Sequence, residues 1–133
     1  MFLRLLLLTS FCLLGTADPI HIKIDLYCRT GKWWQAWTTA YELDVFEATH
    51  DKLAIFYVAG YNSTQTLNMK NIYPLSDYSL EYEISYQVVH TCNTNNTTMC
   101  YRPNKHRDVY VFGEKTVKFS VDITDLSGNC PDE

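Results

Sequence analysis

Histidines and cysteines are the side chains of this sequence that could most readily do chemistry. A serine or cysteine nucleophile needs an adjacent base and a third group that orients the base. None of the four histidines lies in a recognisable nucleophile elbow or triad signature; they are His21, His50, His90 and His106. Two acid pairs, Glu42 with Asp44 and Glu81 with Glu83, fall on the solvent face of predicted strands. We therefore expect binding rather than catalysis, with no cofactor and no metal.

Four of the five cysteines belong to the predicted mature chain, because Cys12 lies in an N-terminal leader. An even number of cysteines in an oxidising compartment predicts two disulfides, with three possible connectivities. We favour Cys92–Cys100, which closes a short polar loop, and Cys28–Cys130, which ties the first strand to the C-terminus. The alternative is a zinc site formed by His90, Cys92, Cys100 and His106. The spacing of these residues in the sequence fits no standard zinc-binding pattern.

The first 17 residues predict a secretory signal peptide. Arg4 precedes an apolar run, and small residues lead up to Ala17, the expected last residue removed. The mature chain is then residues 18–133, with 10 basic and 15 acidic residues after Arg4 is lost, a net charge of −5. Such an acidic chain is a poor ligand for nucleic acid, and no later apolar run approaches the roughly 18 residues that span a bilayer. We expect a secreted, extracellular, folded protein.

Alternating apolar residues predict strands along the whole mature chain. The alternation favours six or seven strands, at Ile20–Leu26, Tyr41–Val45, Leu53–Ala59, Leu80–Val88, Asp108–Phe112 and Val117–Ile123, with a weaker one at Thr64–Met69. The run Leu53–Ala59 is continuously apolar, as in a fully buried strand. Each of the other strands has one apolar face, so two packed antiparallel sheets form one β-sandwich domain.

Three tryptophans crowd the segment between the first two predicted strands. Trp33, Trp34 and Trp37 follow Lys32, and we expect at least one of them to be exposed. An exposed indole beside a cation would suit a partner surface or a ligand with an anionic group. These four residues are the predicted ligand-binding site.

Three glycosylation sequons mark surface loops. They begin at Asn62, Asn95 and Asn96, and the last two lie between Cys92 and Cys100. Because Asn95 and Asn96 are adjacent, we expect crowding to allow only one of them to carry a glycan.

The order of motifs resembles the nematode transthyretin-like family of small secreted proteins. The matching features are Leu26-Tyr27-Cys28 with Gly31-Lys32, the segment Leu43–Glu47, the His90-Thr91-Cys92 motif followed by Cys100, the strand Phe119–Ile123, and Gly128-Asn129-Cys130. The resemblance implies a transthyretin- or prealbumin-like β-sandwich that binds small hydrophobic or lipid ligands or bridges extracellular surfaces. Related hydroxyisourate hydrolases carry a C-terminal Tyr-Arg-Gly-Ser, which the ending Gly128–Glu133 lacks. The alternative is an immunoglobulin-like extracellular interaction module, which an inter-sheet Cys28–Cys92 bridge would favour.

Overall fold

The computed structural model describes residues 18–44, 50–74 and 80–131. The predicted signal peptide, residues 1–17, lies outside the described residues. The described residues form turns and eight strands and no helix. The strands are β1 (Ile20–Tyr27), β2 (Trp34–Glu42), β3 (Asp51–Gly60), β4 (Thr64–Ile72), β5 (Glu81–His90), β6 (Met99–Tyr101), β7 (Arg107–Tyr110) and β8 (Lys115–Asp122).

The first sheet has three strands in the order β4-β1-β8. β1 pairs with β4 antiparallel and with β8 parallel, so Ile24 lies between Leu67 and Phe119. Every second residue of β1 is buried, from Ile20 to Leu26. This period of two is the expected result of a pleated strand with one face against a core.

The second sheet has five strands, with the order β3-β2-β5-β6 and with β7 also pairing to β5. All of its pairings are antiparallel. β5 occupies the middle and β3 lies at one edge. The sheet has an inner face, which packs on the first sheet, and an outer face, which points away from it.

The core fills the space between the two sheets. Tyr86 of β5 meets Phe119 of β8 with ring centroids 4.9 Å apart in an edge-on arrangement. Burial raises the pKa of the Tyr86 phenol well above its usual range, with Tyr101 adding to the shift. Around this pair lie buried aliphatic residues of both sheets, among them Ile22, Ile84 and Val88. The predicted all-β sandwich with two disulfides is confirmed, and the strand pairings are antiparallel as predicted except for the parallel β1–β8 pair.

The predicted disulfide pairing, by contrast, is wrong. The bonds join Cys28 to Cys92 and Cys100 to Cys130. Cys28 continues the inner face of β1, and Cys92 continues the inner face of β5, so the two meet in the core. Cys100 pairs in register with Val89, on the outer face of the second sheet. The sheet therefore separates Cys92 from Cys100. All four thiols are oxidised, so the alternative zinc site loses its cysteine ligands.

Two strand predictions also change. β2 begins at Trp34, so most of the tryptophan segment is strand and not loop; part of the predicted strand Tyr41–Val45 lies outside the described residues. β3 is an edge strand, and Ile55, Phe56 and Tyr57 are exposed rather than buried. The apolar run of β3 is continuous because the side chains on both faces of the strand are apolar: those on the inner face pack on the core, and those on the outer face are exposed. The short strand β6 was not predicted.

Candidate functional site

Trp34 lies in the core. It is 1% exposed, and its indole Nε1–H donates to the backbone oxygen of Asn62 at 2.9 Å. Burial of an indole contributes a large apolar area, and the hydrogen bond satisfies its polar end. Trp34 therefore anchors the turn between β3 and β4 to β2, and its side chain is not accessible to a ligand at the surface.

Trp37 lies on the outer face of the second sheet. It is directly opposite Tyr57 of β3, and the two ring centroids are 4.9 Å apart. The Tyr57 hydroxyl donates to Oε1 of Gln35 at 3.0 Å, which fixes the orientation of the phenol ring. Ile55 continues the row on β3 and is 62% exposed. Trp37, Tyr57 and Ile55 form an exposed apolar surface, which we call the aromatic face.

Trp33 and Lys32 lie in the segment that precedes β2. Trp33 precedes β2 and is exposed. Lys32 follows Gly31, which adopts a φ of +69° in the turn after β1. Its ammonium donates to the backbone oxygen of Thr94 at 2.7 Å. The structure thus places the four predicted ligand-binding residues in three settings: Trp34 in the core, Trp37 on the outer face, and Lys32 and Trp33 in the segment before β2.

The loop that carries two sequons is organised by a buried side chain. The Asn93 side-chain oxygen accepts the backbone N–H of Asn95 at 3.1 Å and that of Thr97 at 3.0 Å. Its amide nitrogen donates to the Thr97 carbonyl. Asn95 and Asn96 are both exposed, as is Asn62 in the turn between β3 and β4. All three sequon asparagines therefore lie on the surface that a glycan requires.

His90 is used structurally. It is fully buried, and its Nε2 lies 2.8 Å from the Leu126 carbonyl oxygen, while Nδ1 accepts the backbone N–H of Cys92. Because a carbonyl can only accept, Nε2 carries the ring proton. Desolvation lowers the pKa of His90, partly offset by the Leu126 hydrogen bond and by Asp125. The ring is held neutral and connects β5 to the segment after β8.

Two other histidines contact carboxylates at the surface. His21 on β1 contacts the Glu114 carboxylate, and its Nδ1 accepts the backbone N–H of Asn71. His106 Nε2 lies 3.1 Å from Asp108 Oδ1. His106, Asp108 and Glu83 hold possible ligand atoms within 4.8 Å of one another, and all three are exposed.

The geometry defines a disulfide-bonded β-sandwich module with an exposed aromatic face. No segment among residues 18–44, 50–74 and 80–131 forms a helix long and apolar enough to cross a membrane. The chain belongs to the family described as Caenorhabditis elegans protein of unknown function (DUF870), whose model matches residues 23–133. No curated protein and no solved structure matches it.

Proposed function

We propose that this protein is a secreted, non-catalytic binding module that recognises a partner protein through the aromatic face. The single observation that carries the proposal is the exposed row formed by Ile55, Tyr57 and Trp37. Contiguous exposed aromatic surface is uncommon on a monomer, and Trp and Tyr dominate the binding energy of many protein interfaces. Trp37 and Tyr57 also hold each other in place, which lowers the entropy cost of binding.

A protein partner suits this site better than a small hydrophobic or lipid ligand. Small-ligand sites are concave and enclose most of the ligand. The aromatic face lies on the exposed outer surface of a sheet, whereas the space between the sheets is occupied by the packed side chains of the core. Bridging of extracellular surfaces is therefore the part of the transthyretin-like expectation that we retain.

Secretion is supported by two independent features. The N-terminal leader has the basic start, apolar middle and small residues of a signal peptide. Two disulfides are typical of proteins that fold outside the reducing cytosol. In a secreted chain, exposed sequon asparagines are acceptors for N-glycans, and we propose that Asn62 and one of the adjacent pair Asn95 and Asn96 carry them.

The disulfide favours the second candidate, an immunoglobulin-like interaction module. Cys28 and Cys92 join the two sheets, and buried Trp34 lies on β2, the neighbour of β5, in the same core cluster. Immunoglobulin domains likewise bury a Trp against an inter-sheet bridge, but their sheets are antiparallel. The parallel β1–β8 pair departs from that pattern. Both candidates place recognition on a sheet surface.

The proposal is tested by a binding screen of the glycosylated, secreted protein against a panel of purified extracellular domains. Trp37→Ala and Tyr57→Ala should each weaken the binding of any partner found by about tenfold or more, as expected for interface anchors. Tyr61→Ala is the matched control, because Tyr61 is 73% exposed but lies in the turn after β3. Equal binding by all three variants would contradict the proposal. Turnover of hydroxyisourate by the purified protein would contradict its non-catalytic part.

A further inference from the structure

A pocket of about 550 Å³ lies on the outer face of the second sheet, beside the aromatic face. Val89, which lines the pocket, pairs in register with Trp37. The complete lining is Tyr41, His50, Lys52, Gln87, Val89, Thr98, Cys100, Arg102, Cys130 and Pro131. The pocket is therefore concave, unlike the neighbouring aromatic face.

One wall of the pocket is fixed by the segment after β8. The Cys100–Cys130 disulfide joins that segment to β6. Gly128 reinforces the junction, because its N–H donates to the Cys100 oxygen at 2.9 Å and its oxygen accepts the Arg102 N–H at 3.0 Å. The Asn129 side chain adds a hydrogen bond to the Arg102 carbonyl. A wall tied by one covalent bond and three hydrogen bonds keeps its shape without a ligand.

The charge of the lining is opposite to that of the chain. The full sequence carries a net charge of −4, yet the lining residues that the structure describes include Arg102, Lys52 and His50 and neither an Asp nor a Glu. The Arg102 guanidinium donates to Oε1 of Gln87 at 2.8 Å. It also lies over the Tyr41 ring, 5.1 Å from the centroid. These two contacts orient the guanidinium in a half-buried position, where a charge–charge contact is less screened than at the open surface.

We propose that this pocket binds a small organic anion, with a carboxylate or phosphate group on an apolar body. Arg102 and Lys52 bind the anionic group, since a guanidinium fork and an ammonium are the usual partners of such oxygens. Val89 and the Cys100–Cys130 sulfurs contact the apolar body. The site takes a different class of ligand from the partner protein of the aromatic face and does not depend on it.

Nuclear magnetic resonance titration of the intact disulfide-bonded protein tests this site. The probes are benzoate, phenyl phosphate and the uncharged benzamide. We expect benzoate or phenyl phosphate to shift the amide signals of Gln87, Val89 and Arg102, with affinity at least about tenfold higher than that of benzamide. The charged probe that binds more tightly identifies the anionic group.

Variants separate specific from general charge effects. Arg102→Gln should weaken binding of the charged probe by roughly tenfold, and Lys52→Gln by about two- to fivefold, because Lys52 is more exposed. Lys118→Gln is the matched control, since this exposed lysine lies on β8 in the other sheet. It should leave the affinity unchanged.

The proposal is overturned if benzamide binds as tightly as both anions, if the shifts fall elsewhere, or if Lys52→Gln and Lys118→Gln have the same effect. Lys52→Gln leaves the Arg102 contacts in place, so the test stands even if Arg102→Gln does not fold. Trp37→Ala separates the two proposals, because it should weaken partner binding and preserve the anion site.

Discussion

Cys28 and Cys92 are joined across the core, 64 residues apart in sequence, with their Cα atoms 5.9 Å apart. Each cysteine is the next inward position after the buried residues of its strand, Leu26 on β1 and His90 on β5. The bond therefore connects the two sheets at their inner faces. The other bond, Cys100–Cys130, joins half-buried residues and attaches the segment after β8 to the outer face.

Removal of the inter-sheet disulfide should destabilise the protein more than removal of the other one. In the chain-entropy model each disulfide contributes about 4 kcal/mol to the free energy of unfolding. The two contributions are similar because the loops that the disulfides close differ only about twofold in length. Cys28→Ala with Cys92→Ala also empties space in the core, which adds roughly 1–2 kcal/mol. Urea unfolding of this variant and of Cys100→Ala with Cys130→Ala measures the difference. Equal free energies of unfolding for the two variants would show that the core position adds nothing.

The tryptophans should differ sharply in their effect on stability. Trp34→Ala removes a fully buried indole and its hydrogen bond to Asn62, so we expect a loss of about 3–5 kcal/mol in the free energy of unfolding. Trp37→Ala removes a half-exposed ring and its contact with Tyr57, a loss of about 1 kcal/mol. Thermal and urea unfolding provide the values. A larger loss for Trp37 than for Trp34 is the contrary result.

His90 should make the fold sensitive to mild acid. Its pKa in the folded state is lowered by burial, so protonation favours the unfolded chain, whose histidine titrates near about 6.5. The stability is complete above that pH and is lost as the pH falls below it, by up to about 1.4 kcal/mol per pH unit. Urea unfolding between about pH 7.5 and about pH 5.5 measures the change in unfolding free energy per pH unit. Most carboxylates titrate below this range and contribute little to the change.

The control for His90 is a matched histidine at the surface. His90→Gln should flatten the dependence of unfolding free energy on pH in that window. His106→Gln should retain the pH dependence, because the His106 side chain is exposed, whereas that of His90 is buried. The same slope in wild type and His90→Gln would assign the acid sensitivity to another group.

Asn93 should control the order of the loop that carries the paired sequons. Asn93→Ala removes the acceptor for the Asn95 and Thr97 amides, so we expect a loss of about 1–3 kcal/mol in stability. Hydrogen exchange at those two amides should accelerate before global unfolding. Asn104→Ala, at an exposed loop position, is the control and should leave both amides protected. Unchanged protection in Asn93→Ala would contradict this account.

Alternation of apolar residues predicted most strands well, because a period of two is a local property. The same alternation, continued for two residues beyond β1 and β5, indicates which cysteines point toward the core. Cys28 follows Ile24 and Leu26 in phase, and Cys92 follows Val88 and His90 in phase, so both point inward. The wrong pairing of Cys92 with Cys100 came from their closeness in sequence, which ignores the sheet that lies between an inward and an outward cysteine.

Position within a sheet could not be predicted in this way. The apolar run of β3 indicates a buried strand, yet β3 is at the edge, because strand order depends on contacts between distant segments. The pocket around Arg102 could not be predicted for the same reason. Tyr41, Lys52, Arg102 and Cys130 come from four separate parts of the chain and meet only after the sheet and the disulfide have formed.

The parallel pairing of β1 with β8 has a consequence for biosynthesis. The ribosome delivers the central strand of the smaller sheet first and one of its two neighbours last, at roughly 5–20 residues per second. Until β8 emerges, one edge of β1 lacks its native neighbour, while the strands of the larger sheet are already available to pair. A nascent chain arrested before Lys115 should therefore be recognised by chaperones, and release of the last strand should end that association.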